Sequence, residues 1–260
     1  MQVNLDGRVA LVTGGSQGIG LAIAQRFAAS GADVAMVARR QEVLDEAVAG
    51  VQAASSTRVR GYCGDVSIAD DIEGLFDKVT ADLGRVDILI NNAGHAKAGP
   101  IESITDEEWQ YDFDLKLMAA VRLSRLCFPG MKERKWGRII NMLNTMAKTP
   151  SARSAPTSVT RAAGMALTKV LAAEGAPHNI LVNGFNIGRI KSDQIKRAYD
   201  ASGANVSFDD FLAKAGEQVP LGRFGEAEEC ANLACLLCSD ACGYVTGTSI
   251  NVDGNLSPAL

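Results

Sequence analysis

Hydrophobic and polar positions follow two rhythms along the chain. Short β-branched runs, RVALVT, DVAMVA, RVRGY, VDILIN, GRIINM and NILVNGF, are flanked by longer stretches in which apolar positions recur every third or fourth place. The runs predict strands and the stretches between them predict helices, the βαβ rhythm of a parallel sheet covered on its faces. From Thr105, the stretch TDEEWQYDFDLKLMAAVRLSRLCF reads as one long helix, and Glu108 three residues on completes a capping box. Residues 189–219 break the rhythm with weaker periodicity and more polar positions, which predicts an excursion from the sheet and a lid over a cleft. With no internal repeat, Pro-rich linker or low-complexity tract, residues 1–260 read as a single domain.

Composition narrows the class. Hydrophobic residues make up 47% and charged residues 22%, enough apolar surface for one large core and too much for disorder. Lys plus Arg number 26 against 30 Asp plus Glu, a net charge of -4, so nucleic acid is not an expected partner. No apolar run approaches the ~18 residues of a membrane span. The start, MQVNLDGRVALVTGG, lacks a charged segment followed by an apolar one, so no membrane partner and a cytoplasmic location are expected. Six cysteines include four in CANLACLLCSDAC, whose spacing matches no zinc pattern. That segment reads as an amphipathic helix with Cys235, Cys238 and Cys242 on its apolar face, and no metal is expected.

The most specific signal is TGGSQGIG at 13–20, directly after the strand RVALVT and directly before a helical run. Gly14, Gly18 and Gly20 suit a tight turn, close approach to a pyrophosphate and close helix packing, with helix N–H groups facing the phosphates. Further along come Asp65 after the third strand, NNAG at 91–94, WGRIIN at 136–141, LAAEGAPHNILVNGFNIG, VPLGRFGEAEECA and YVTGTSINVDG. In this order the chain resembles the short-chain dehydrogenase/reductase family over essentially its whole length. The resemblance implies a Rossmann-type, doubly wound, seven-stranded parallel sheet with helices on both faces, a nicotinamide dinucleotide at its carboxyl edge, and a homodimer or homotetramer. By position it implies that Gly14, Ser16, Gln17, Gly18, Ile19 and Gly20 hold the pyrophosphate. Asp65 and Val66 would meet the adenine, Asn91, Ala93 and Gly94 the adenosine and ribose, and Gly188 the nicotinamide neighbourhood. An acid about twenty residues past the glycine turn would select NAD. Here the second strand ends in Arg39 and Arg40, whose planar forks suit a 2'-phosphate, so NADP is preferred over NAD.

The departure from the family lies in its chemistry. Members carry a tyrosine, a lysine four residues on, an upstream serine and an asparagine; the matching positions here are Thr157, Arg161, Asn144 and Lys116. A threonine hydroxyl does not usefully ionise and arginine does not deprotonate, so the family's proton route is closed. Asn144 still polarises a carbonyl. His95, just after NNAG, titrates near neutrality, and a desolvated Lys116 beside Arg161 offers a neutral amine, unless it simply pairs with Asp112 or Asp114. Tyr199 on the lid is a further candidate, while His178 reads as structural or exposed. Lys97, Lys116, Lys148, Arg153, Arg161, Arg189 and Lys191 all fall in segments that rim the inferred cleft, which points to a small anionic or thioester substrate. Three functions are open: an NADP-dependent oxidoreductase with a substituted proton route, a non-redox lyase or hydrolase, and a cofactor-binding protein without turnover.

Overall fold

Every predicted strand forms in the computed structural model, which describes residues 3–203 and 205–260. Among the described residues, β1 (Val9–Thr13), β2 (Asp33–Ala38), β3 (Val59–Cys63), β4 (Ile88–Asn91), β6 (Gly137–Asn144), β8 (Ile180–Ile187) and β9 (Ser249–Val252) make one seven-stranded sheet. The order is β3-β2-β1-β4-β6-β8-β9 and all pairings are parallel. The order reverses between β1 and β4, which opens a crevice at their carboxyl ends, where ligands bind in such sheets. A short antiparallel ribbon of β5 (Ala98–Gly99) and β7 (Ala155–Pro156) stands apart from the sheet.

Helices cover both faces, so β1 is buried at all five positions and reads as a continuous apolar run. Its pleat sends successive side chains to opposite layers. Ala10 and Val12 join the cluster of Ile23 and Phe27 from α1 (Gly18–Ala29), with Ala234 and Cys238 from α9 (Ala227–Cys238). Val9 and Leu11 join the other cluster, with Ile72 and Val79 from α3 (Ala69–Leu83) and Leu123 and Phe128 from α5 (Ala119–Arg134). The remaining cover comes from α2 (Gln41–Ala53), against β3, and α6 (Thr157–Gly175), against β8. The result is a single-domain Rossmann-like α/β fold with helices flanking a seven-stranded parallel sheet.

Three elements differ from the periodicity. The long helix from Thr105 has its capping box, but it divides into α4 (Asp106–Phe113), a π turn over Asp114–Met118, and α5. A single wide turn shifts the apolar stripe by about one position, too little for spacing to reveal. The cysteine helix stops at Cys238, because extended Ser239 caps the following short turn by accepting from Ala241 N. Cys230, Cys235 and Cys238 are buried, whereas Cys242 lies beyond the helix rather than on its face. The irregular stretch holds α7 (Asp193–Ser202) and α8 (Phe208–Gly216), with position 204 outside the described residues.

At the amino end of the sheet, buried Asp87 accepts from Val9 N at 3.0 Å, Arg85 Nε at 2.9 Å and Arg134 Nε at 3.0 Å. Asp87→Ala leaves the Val9 amide buried without this acceptor and two guanidinium groups without their carboxylate. A loss of about 2–3 kcal/mol is expected, read as a lower denaturation midpoint at unchanged slope.

Candidate active site

The turn after β1 is built for close approach. Gly14 and Gly18 hold φ of +63° and +54°, and a Cβ at Gly20 would fall 2.2 Å from the Gly14 carbonyl oxygen, so the first turn of α1 presses directly on the loop. The Asn92 amide donates to the Thr13 and Gly14 carbonyls at 2.9 and 3.2 Å, lacing this loop to the end of β4. No side chain caps the α1 N-terminus and its first turn carries no acid; the side chain of the preceding Gln17 instead accepts from Arg40. Unclaimed N–H groups therefore open on a cavity of about 860 Å³ lined by Gly14, Ser16, Gln17, Gly18 and Ile19. The residues present fit a dinucleotide pyrophosphate.

At the β2 side of this cavity Arg39 Nη1 donates to Tyr111 Oη at 2.8 Å and lies 3.5 Å from Asp65 Oδ2. Asp65 also accepts from the Ser67 amide and hydroxyl, which shapes the loop after β3. Arg40, Val66, Ala93 and Gly94 line the same wall. Gly188, on the opposite wall, has no room for a side chain, because a Cβ there would fall 2.5 Å from Asp253 Cβ.

The other end is organised by the start of α6. The Thr157 hydroxyl accepts from Lys116 Nζ at 2.7 Å and from Lys97 N at 3.1 Å, and donates to the Lys97 carbonyl at 2.7 Å. One donor and two lone pairs are its whole capacity, so it is a latch on the 95–98 loop. The π turn brings Lys116 inward, where its side chain is 0% exposed and pairs with Asp112, while Thr160 Oγ1 donates to the other carboxylate oxygen at 2.7 Å. Burial, and then the Arg161 charge, pull the Lys116 ammonium down to about 8 against the opposing pull of Asp112. Burial lowers Arg161 to about 10, so it stays cationic at neutral pH. Its Nη1 donates to the Met142 carbonyl at 2.5 Å, and its Nη2 packs under Gly94, 2.6 Å from where a Cβ would stand. Asn144 Oδ1 is buried with no partner in the structure, and Asn144 lines the cavity. His95 lies against Tyr111, ring centroids 5.6 Å apart; burial, then Lys116, holds its pKa below the usual 6.5.

Among the expected site residues, His95, Asn144, Thr157 and Arg161 line this cavity, while Lys116 sits beneath Thr157 rather than in the wall. Gly20 and Asn91 also lie behind the wall; Asn91 Nδ2 donates to Asn141 Oδ1 at 2.8 Å, and Asn92 is the residue of that pair that reaches the cavity. The cationic rim is smaller than the count implied. Arg161 and Arg189 line the cavity, whereas Lys97 and Lys191 pair with Glu108 and Glu226, Lys148 donates to the Ser249 carbonyl, and Arg153 lies outside the wall. Tyr199 packs on Phe208 and Phe211 and donates to the Val206 carbonyl, away from the site, and His178 ends a short turn before β8. Tyr111 escaped the sequence reading, although it stands four residues before cavity-lining Leu115, the spacing that shares a helix face.

Lys116→Met leaves the Asp112 carboxylate buried with only the Thr160 hydroxyl. The expected cost is about 3–5 kcal/mol in denaturant unfolding, most of it recovered when Asp112→Leu is added.

A family model described as "Enoyl-(Acyl carrier protein) reductase" matches residues 14–257. The chain is 34% identical over 257 residues to the 3-oxoacyl-[acyl-carrier-protein] reductase FabG of Escherichia coli (strain K12), covering 98% of this chain and 99% of that one. It is likewise 34% identical to human dehydrogenase/reductase SDR family member 4, over 98% of this chain and 90% of that one. Among solved structures, L-sorbose reductase from Gluconobacter frateurii, complexed with NADPH and L-sorbose, superposes with a TM-score of 0.95 at 37% identity, each chain covered to 100%. With its sheet order, its glycine turn and these relatives together, the chain belongs to the short-chain dehydrogenase/reductase family of NAD(P)-dependent oxidoreductases.

Proposed function

We propose that this protein is an NADP(H)-dependent oxidoreductase for a small carbonyl or alcohol compound, in which His95 exchanges the proton that the family's tyrosine exchanges elsewhere. One observation carries the proposal: of the described residues lining the cavity, His95 is the one histidine, the side-chain type suited to exchanging a proton there. The set of Lys116, Asn144, Thr157 and Arg161 stands where the family has asparagine, serine, tyrosine and lysine, and the saturated Thr157 hydroxyl holds no proton for the substrate.

A bound nicotinamide would supply or accept the hydride. The Asn144 amide donates to the substrate oxygen, and Arg161 keeps its charge beside Gly94 to hold ribose hydroxyls. His95 takes the hydroxyl proton in oxidation and returns it in reduction. Gly14, Ser16, Gln17, Gly18 and Ile19 hold the diphosphate, with Gly20 packed behind them, and Asp65, Val66, Ala93, Gly94 and Gly188 frame the nucleoside ends, with Asn91 behind the wall. Arg39 and Arg40 favour NADP, a preference supported by the NADPH complex of the Gluconobacter relative. The described wall holds Arg39, Arg40, Arg161, Arg189 and Arg197 against Asp65, so an anionic or thioester substrate is the first class to test. Ile190, Ser192 and Ile195 reach the cavity from residues 189–219, which we read as a lid. We take the protein to work in the cytoplasm as a homodimer or homotetramer, consistent with Val159 and Val170 exposed on α6.

Calorimetric titration is expected to give tighter binding of NADPH than of NADH, and a panel of carbonyl and alcohol compounds to give turnover. His95→Gln should lower kcat by about 100-fold or more with dinucleotide binding intact. Oxidation requires neutral His95. Its rate should therefore rise with pH through a midpoint below 6.5 and then level, while reduction falls through the same midpoint; the His95→Gln profile should be flat there. The full Thr157 hydroxyl favours one rival, a cofactor-binding protein without turnover. Tight NADPH binding with no hydride exchange across the panel, in either direction, decides for that rival.

A further inference from the structure

We infer that Tyr111, through its phenolic oxygen, positions Arg39 to clamp the 2'-phosphate of NADPH and thereby sets the preference over NADH; this rests on the dinucleotide reading above. Arg39 stands at the end of β2 with its side chain 57% exposed, a placement in which an untethered guanidinium samples many rotamers. Two groups hold a single nitrogen of it: Nη1 donates to Tyr111 Oη at 2.8 Å and lies 3.5 Å from Asp65 Oδ2. The opposite edge, Nε with Nη2, has no hydrogen-bond partner among the described residues, and that edge is the two-donor fork that grips a phosphate with parallel bonds.

The chemistry of the tether matters as much as its place. A hydroxyl accepts from a guanidinium without cancelling its charge, whereas Glu108 neutralises Lys97 and Glu226 neutralises Lys191 on nearby surface. Arg40 is held in the same manner, by the neutral amide oxygen of Gln17 on the glycine turn. Arg40 is thus steadied by a neutral acceptor, and Arg39 by one together with the longer and partly solvated contact to Asp65, which leaves charge on this wall available to a dianion. Tyr111 is itself fixed: its ring lies against His95, and its helix α4 begins in the reciprocal cap of Thr105 and Glu108. Tyr111 is a positioning residue, acting through Arg39.

Tyr111→Phe keeps the ring and its contact with His95 and removes only the oxygen, and calorimetric titration of the full chain with NADPH and NADH reads the effect. The expected result is NADPH binding weakened about five- to tenfold with NADH binding unchanged. In an Arg39→Ala background the same change should move neither affinity, because the residue through which Tyr111 acts is gone. Equal weakening of both dinucleotides, tighter NADPH binding, no change in either, or an undiminished effect in the Arg39→Ala background overturns the inference while leaving the cofactor reading intact. Failure of the unsubstituted chain to bind either dinucleotide overturns both.

Discussion

An ammonium group under the floor of a cleft cannot stand alone, and most of the reactive end follows from that constraint. Lys116 is carried inward by the π turn, so Asp112 must lie one turn back on α4 to face it, and Thr160 must satisfy the second carboxylate oxygen. The remaining reach of the ammonium goes to Thr157, whose hydroxyl then fastens the loop after β4 to the head of α6. Lys116 also disfavours a second positive charge above it, and this adds to burial in keeping His95 neutral. The buried ammonium thus ties together α4, the π turn and the head of α6.

The two ends of the cleft treat charge differently. At the reactive end charge is buried: Lys116 and Asp112 cancel, Arg161 keeps its charge against the Met142 carbonyl, and Asn144 and His95 line the wall beside them. At the β2 end the arginines stay exposed, each held by a neutral oxygen, and Asp65, 3.5 Å from Arg39, offsets only part of the field that reaches the cavity. A ligand spanning the cleft meets one buried guanidinium at the reactive end and two exposed ones at the other.

Most of the fold was legible because β1, β2, β4, β6 and β8 are buried on both faces and so appear as apolar runs, broken in β6 and β8 by buried polar residues such as Asn141 and Asn183, with glycine at the turn that needs it. β9 carries no such run, since its four positions are only half buried, and its place came from the family landmark alone. The π turn left no trace in spacing. The overcount of free cations has a physical cause as well: sequence position shows that Lys97 and Lys191 are near the cleft but not that Glu108 and Glu226 reach them from other segments. Tyr111 was invisible for the converse reason, because its role depends on an arginine 72 positions away in the chain.

The alternation along β1 has a wider implication. Val9 and Leu11 belong to one layer and Ala10 and Val12 to the other, so this strand, like β2 and β4 on either side of it, is a shared wall between two interiors. Enlarging Ala10 crowds the layer that holds α1 and α9, and enlarging Leu11 the layer that holds α3 and α5, yet either disturbance bears on the same strand that leads into Gly14. The binding loop is therefore mechanically tied to both halves of the molecule through five residues.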